Sequence, residues 1–178
     1  MTEIVLPNSC NLRPASAKDI WFIRKLVFTA ILDPTQLRWQ QFLLIECEGK
    51  LVGCGQLRNF EDAQELGSLV VVKSWQKRGL GTTLAKSLIQ QATKPLYLEC
   101  LGKKLAYFYS RLDFVPISLA ELPKSLKFKF GISQLGRKIF KIPMIIMEYK
   151  GNKLINYNKV LLKNFVGKES EYGKNLAE

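Results

Sequence analysis

Residues 70–83 read VVVKSWQKRGLGTT: an apolar triplet, a loop carrying Lys73, Lys77 and Arg78, then Gly79 and Gly81 ahead of an amphipathic run. Glycines without Cβ atoms let a backbone come close to a ligand. The first N–H groups of the helix that follows have no partner inside it. Those donors, together with the positive end of the helix dipole, make a seat for a phosphate or pyrophosphate. Two common phosphate loops do not fit. No Gly-Lys-Ser or Gly-Lys-Thr triplet occurs, so there is no P-loop. A G-x-G-x-x-G fingerprint would need a third glycine where Leu84 stands, and glycine directly after the strand, whereas residues 73–78 intervene.

The surrounding chain narrows the chemistry. A length of 178 residues with 47% hydrophobic content suits one domain with a core of its own. Apolar runs such as Phe42 to Ile45 and Leu69 to Val72 are far shorter than a membrane span. The start, MTEIVLPNSC, lacks the basic opening and apolar centre of a signal peptide, so a cytoplasmic location is expected. Cys10, Cys47, Cys54 and Cys100 form no C-x-x-C pair and there is no histidine, which leaves no metal site and points to reduced, buried thiols. The absence of histidine also removes Ser-His and Cys-His catalysis. Acid–base work falls to Glu, Asp, Tyr, Lys, Cys, backbone or water.

The net charge of +12 would serve a nucleic acid, an anionic membrane surface or a phosphorylated ligand. It is unevenly spread. Lys124, Lys127, Lys129, Arg137, Lys138 and Lys141 form a run without acidic residues, whereas Glu61, Asp62 and Glu65 make the approach to the glycine loop acidic.

Periodicity predicts a strand at Leu12-Arg13-Pro14-Ala15 and then a helix capped by Ser16 and Asp19, with Ile20, Ile23, Leu26, Val27 and Ala30 on one face. Phe42 to Cys47 and Leu51 to Leu57 read as a hairpin around Glu48-Gly49-Lys50, and Glu65 to Val72 as a third strand buried on both faces. A helix with Leu80, Leu84, Ala85, Leu88, Ile89 and Ala92 on its inner side follows. After it come a strand at Pro95 to Cys100, a helix around Leu105, Phe108, Tyr109 and Leu112, and strands at Phe114 to Ile117 and Ile142 to Tyr149. The fold class expected is α/β (α+β) with a mixed sheet: mostly antiparallel N-terminal strands, a central strand–loop–helix, and helices on both faces. The domain should occupy residues 1–150. The tail 151–178 is polar, with Leu154, Ile155, Leu161, Leu162 and Phe165 available to a docking helix.

Gln76-Lys77-Arg78-Gly79-Leu80-Gly81 resembles the [RQ]-x-x-G-x-[GA] motif of the GNAT superfamily of acetyl-CoA-dependent N-acetyltransferases. Leu69-Val70-Val71 stands where that family's pantetheine-binding strand stands. Ala106-x-Phe108-Tyr109-Ser110-Arg111-Leu112-Asp113-Phe114 resembles its A-x-x-FYxxxGF element, and the resemblance extends over residues 11–149. It implies acetyl-CoA as cosubstrate and a single GNAT-like domain. The turn from Arg78 through Gly79, Leu80, Gly81 and Thr82 to Thr83 would hold the pyrophosphate, with Gln76 and Lys77 beside it. Leu69, Val70 and Val71 would pair with the pantetheine amides, and Ala106 would lie against the same ligand. Two departures stand out. Asp113 replaces a family glycine, so an aspartate must take a left-handed turn. Gly102-Lys103-Lys104 replaces a frequent asparagine.

Acetyl transfer to an amine needs a neutral amine, a polarised thioester carbonyl and a proton for the leaving thiolate. Glu65, eleven residues before Gln76, is the base expected from the resemblance, with Glu99 in reserve. Tyr109 matches the family tyrosine that protonates the coenzyme thiolate. Trp21, Trp39 and the basic segment from Lys124 to Lys141 should lie near the acceptor. Leu119-Ala120-Glu121-Leu122-Pro123 resembles the ending of amino-acid acetyltransferases such as N-acetylglutamate synthases. The acceptor expected is a small amine bearing an acidic group. A protein N-terminus or lysine, or a non-catalytic acyl-CoA-binding or RNA-binding role, are the alternatives, and oligomeric state is left open, a homodimer included.

Overall fold

The computed structural model describes residues 6–131 and 144–151. Seven strands make one mixed sheet: β1 (Cys10–Pro14), β2 (Phe42–Cys47), β3 (Lys50–Asn59), β4 (Gln64–Val71), β5 (Leu96–Leu101), β6 (Phe114–Ile117) and β7 (Met144–Tyr149). Their order is β1-β2-β3-β4-β5-β7-β6. Neighbours are antiparallel except β4 and β5, which run parallel. Three helices are α1 (Ile20–Thr29), α2 (Leu80–Gln91) and α3 (Gly102–Ser110). Residues 124–131 are also helical and are called α4 below.

Alternation along the strands distributes the helices. Leu43, Ile45, Leu66, Leu98, Cys100 and Met147 face one way, and Leu80, Leu84, Ala85 and Leu88 of α2 pack on them with Ala106 and Tyr109 of α3. On the opposite face, Leu44 and Cys54 receive Ile23, Leu26 and Val27 of α1. Further along that face, Tyr97 and Ile146 receive Leu126 and Phe130 of α4. Helices thus cover both faces, as the sequence predicts.

Several local forms follow directly from residue type. The hairpin joining β2 to β3 turns through Glu48 and Gly49 with φ of 52° and 70°, a two-residue turn whose twist matches the strands. Asp113 takes φ 64° where the family pattern has glycine. Asp19 reaches back to the backbone N (2.7 Å) and Oγ (2.8 Å) of Ser16, and receives a two-pronged ion pair from Arg13 at 2.9 and 3.0 Å. The Arg13 guanidinium, more than any other neighbour, holds the Asp19 carboxyl well below the usual carboxylate range. A depressed carboxylate contributes stability that is present above its unfolded value and lost as pH falls below it. Asp19→Ala should therefore cost about 1–2 kcal/mol at neutral pH, and less as acid is added below about pH 4, in urea titrations.

The basic run from Lys124 begins as a helix, and Arg137, Lys138 and Lys141 lie outside the described residues, as do Ile142, Pro143 and the tail beyond Gly151. Three expectations change. The strand at the glycine loop is only half-buried over Leu69, Val70 and Val71. Ala30 is exposed and α1 ends at Thr29, ahead of the Asp33-Pro34 break. The cysteines are not all thiols: Cys10 and Cys47 form a disulfide. Strand register, invisible in a 37-residue spacing, sets these two directly opposite each other in β1 and β2. Cys54 and Cys100 are free and buried, and burial pushes each thiol up to about 12.

Candidate active site

The site begins where the sheet comes apart. β4 and β5 pair only at Gln64 with Leu96 and at Glu65 with Tyr97. Beyond Glu65, β4 remains bonded to β3 alone. Its register there gains one residue between Gly67 and Val70, where Ser68 takes φ 50°. An extra residue bends a strand and sharpens its twist. The bend carries Leu69, Val70 and Val71 away from β5, which is why this apolar run is half-buried and presents one backbone edge to a cleft.

At the far end of that edge the chain turns into α2. Gln76 Nε2 donates to the carbonyl of Val71 at 2.9 Å and ties the loop to the strand. Lys77 has φ 63° and is exposed. Arg78 lies over the Trp75 ring, 4.6 Å from its centroid. Gly79 is the N-cap of α2 with φ 81°, and having no side chain it offers the helix no capping oxygen. The Thr83 amide makes the first helical bond, to the Gly79 carbonyl at 3.0 Å. The amides of Leu80, Gly81 and Thr82 precede it, at the positive end of the dipole. Leu80 and Thr83 are buried, whereas Gly81 and Thr82 are half-exposed. A groove of about 470 Å³ runs beside this loop between Val70, Val71, Val72, Gln76 and the α1 residues Phe22 and Thr29.

A smaller pocket of about 160 Å³ lies across the fork, with Gly67 and Ser68 on one strand and Glu99 and Cys100 on the other. Arg58, Glu65, Lys129 and Asp33 also line it. Glu65 is buried and sits opposite Arg58 on β3. One of its oxygens accepts from Arg58 Nη1 at 3.0 Å and the other from Lys129 Nζ of α4. Arg58 also donates to Gln56 Oε1 (2.9 Å) and Ser68 Oγ (3.0 Å). Burial pulls the Lys129 ammonium below its ordinary value, against the opposing pull of Glu65. The Glu65 carboxylate is thus already engaged by two cations, a setting the sequence does not announce. Glu99 is half-buried in the same pocket wall.

Tyr109 lies on the opposite face of the sheet, on α3 one turn after the buried Ala106. Its ring meets Phe108 edge-on at 5.0 Å and Phe114 at 5.8 Å. Burial is the main reason its phenol is pushed well above the ordinary tyrosine value. The group therefore stays protonated at any working pH. Of the two tryptophans expected near an acceptor, Trp39 is half-buried against the α1 cluster, while Trp21 points outward from α1. Sequence reasoning missed Arg58 and had Lys129 only as one cation of the basic run expected near the acceptor. The period-two alternation of β3 could have marked Arg58, since it shares a face with Cys54 and Gln56; nothing could have singled out Lys129 within a basic run.

Among the described residues no cluster of His, Cys, Asp and Glu is arranged to hold a metal, and no helix is long and apolar enough to cross a membrane.

A family model for the acetyltransferase (GNAT) domain matches residues 38–116. An amino-acid acetyltransferase of Shewanella oneidensis is 32% identical over 139 residues, which cover 71% of this chain and 31% of that protein. N-acetylglutamate synthase from Neisseria gonorrhoeae, solved with coenzyme A and N-acetyl-glutamate, superposes with a TM-score of 0.66 at 23% identity, over 79% of this chain and 34% of that one. An acyl-CoA N-acyltransferase from Pseudomonas aeruginosa superposes with a TM-score of 0.56 at 16% identity, over 79% of this chain and 98% of that one. The chain spans about a third of the length of the first two.

Proposed function

Because the chain belongs to the GNAT acetyltransferases, we propose that it moves an acetyl group from acetyl-CoA to the amine of a small, amino-acid-like acceptor. The observation that carries this reading is the fork after Glu65 and Tyr97, which frees the backbone of Leu69–Val71 beside a groove and ends it at a polar pocket. The pyrophosphate would lie on the amides of Leu80, Gly81 and Thr82, flanked by Arg78 and Lys77. The pantetheine arm would add to the β4 edge as an extra strand does. This directs the thioester into the fork, where strand amides near Val71 can donate to its carbonyl oxygen as negative charge develops.

Direct transfer then requires two proton movements. The amine loses one proton before or during attack on the thioester carbon; the C–S bond breaks; and the sulfur gains a proton. Tyr109, held protonated by burial, is the proposed donor to the sulfur. Glu65 stands at the position expected of the base, yet both its oxygens accept from cations. Its role is to fix Arg58 and Lys129 in the pocket wall, and Glu99, through water, takes the amine proton. A wall with cations on one side and Asp33 and Glu99 on the other suits a molecule that carries both an amine and a carboxylate. The pocket is also smaller than the about 300–1,000 Å³ that holds drug-sized ligands, which favours a small acceptor over a polypeptide.

Coenzyme A release measured across amino acids, polyamines and peptides tests the acceptor. Turnover with acidic or neutral amino acids is expected, and turnover with polyamines alone would overturn the reading. Gly81→Asp tests the coenzyme seat separately, because the motif's last position takes only glycine or alanine. A Cβ there meets only Val71 Cγ2, at 3.9 Å, and a carboxylate in the first turn suits the helix dipole, so the free protein should melt no lower than wild type. Acetyl-CoA should nevertheless bind about tenfold or more weakly, because the carboxylate stands where the phosphate must approach the backbone. Unchanged coenzyme affinity by calorimetry would move the pyrophosphate elsewhere.

A further inference from the structure

The outward side of α1 is built unlike an ordinary solvated helix face. At about 100° per residue, Trp21, Arg24, Lys25 and Phe28 fall within an arc of about 100°, opposite the buried Ile23, Leu26 and Val27. Trp21 is 73% exposed and Phe28 76%, and Ile31, just past the helix, is 88% exposed. Arg24 lies over the Trp21 ring at 5.3 Å from its centroid, so cation and indole present one surface. No acidic residue occurs from Ile20 to Thr29, and Lys18 adds a further cation at the entry. The nearest carboxylate upstream, Asp19, is turned inward to Arg13.

α4 repeats the pattern beside it. Leu126 and Phe130 are buried, while Phe128 is 79% exposed, with Lys124 one turn before it and Lys127 adjacent. The two helices pack on the same face of the sheet, and Ile31, just past α1, lines one pocket with Lys129 of α4. Carboxylates at the margin of this surface are engaged: Asp33 accepts from Thr35 at 2.6 and 2.8 Å, Asp62 accepts from Ser125, and Glu65 accepts from Arg58 and Lys129.

We propose that this α1–α4 face docks on an anionic lipid bilayer, with Trp21, Phe28, Ile31 and Phe128 entering the headgroup boundary and Lys18, Arg24, Lys25, Lys124 and Lys127 meeting lipid phosphates. Charge complementarity selects the partner: a surface rich in cations and poor in free carboxylates needs anions, and exposed large apolar side chains need somewhere dry. A bilayer surface supplies both, and tryptophan is favoured at such boundaries. An RNA would supply the phosphates, but the aliphatic Ile31 and the isolated Phe128 offer bases no stacking ladder. The groove and the fork pocket both open at the margin of this face, through Lys25 and Ile31 respectively, so docking would bring the site against the membrane surface.

Flotation of the full chain with vesicles tests this. Vesicles in which about a third of the lipid is phosphatidylglycerol should carry the protein, vesicles of phosphatidylcholine alone should not, and about 0.5 M salt should release it. The double variant W21S/F28S, altered only at exposed positions, should need at least about tenfold more anionic lipid for half-maximal binding while keeping its melting temperature. Arg24→Glu should act in the same direction. The proposal fails if the wild type ignores phosphatidylglycerol, or if W21S/F28S floats as well as wild type. It also fails if a single-stranded RNA competes the protein off the vesicles and loses affinity in the same variants, which would make the face an RNA site.

Discussion

Tyr109→Phe is expected to lower kcat by about 10²–10³ while leaving the KM for acetyl-CoA within about a factor of three. The substitution removes one oxygen from a ring otherwise held by its contacts with Phe108 and Phe114. Packing is therefore retained and the melting temperature should barely move. What disappears is the proposed donor to a sulfur that leaves as a thiolate, an interaction that would be made mainly in the transition state. Such a loss appears in kcat and kcat/KM together. The pH profile supplies an independent check. Burial raises the Tyr109 phenol above its ordinary value, so the wild type should show no falling limb attributable to this residue below about pH 10. A rate that rises to a plateau as the acceptor amine deprotonates is the expected shape, and it should persist in the variant at a lower plateau. If Tyr109→Phe turns over within about threefold of wild type, the thiolate is protonated by water and Tyr109 is a core residue only.

The glycine loop was legible because local rules dictate it, whereas Tyr109 was singled out only by the family resemblance. A left-handed N-cap at Gly79 needs glycine, an amphipathic helix announces itself by period, and a hairpin through Glu48-Gly49 is written in two residues. Asp113 was legible as an exception, and its φ of 64° agrees. What could not be read depends on register and on pairs distant in sequence. β7 enters the sheet between β5 and β6, although it follows both in the chain. Cys10 meets Cys47 only because β1 and β2 pair at that register. The fork that defines the site arises from one extra residue at Ser68, which no composition signal marks. Glu65 is the sharpest case. Its place before the loop is a matter of counting, but its engagement depends on Arg58 seven residues earlier and Lys129 sixty-four residues later. A carboxylate's chemistry is set by such neighbours, so the sequence identified the residue and left its partners unwritten.

Those partners lead to the largest stability effect we expect. Arg58→Met should destabilise the protein by about 3–5 kcal/mol, a large part of the about 5–15 kcal/mol that holds a domain together. Arg58 is only 4% exposed, and its guanidinium serves Gln56, Glu65 and Ser68 at once. The backbone is shaped around it: a Cβ at Gly67 would come within 2.7 Å of Arg58 Nη1. Methionine fills the channel but leaves the buried Glu65 with Lys129 alone, and leaves the Gln56 oxygen without its closest donor. Arg58→Lys keeps the charge while losing the planar fork that reaches three acceptors, so it should fall between the two. The cycle with Glu65→Met separates pairing from packing. If the ion pair is the cause, the double variant should be less destabilised than the sum of the singles by about 1–3 kcal/mol: the Arg58–Glu65 pairing is lost in each single and only once in the double, while the loss of Glu65 from Lys129 is common to Glu65→Met and the double and cancels. Additive losses would instead mean that Arg58 acts through its bulk. The same variants bear on the acceptor. At temperatures where it remains folded, Arg58→Lys should raise the KM for the amine with little change in that for acetyl-CoA, because Arg58 lines the fork pocket and is absent from the groove along β4. Equal increases in both constants would remove Arg58 from acceptor binding and leave it a purely structural cation.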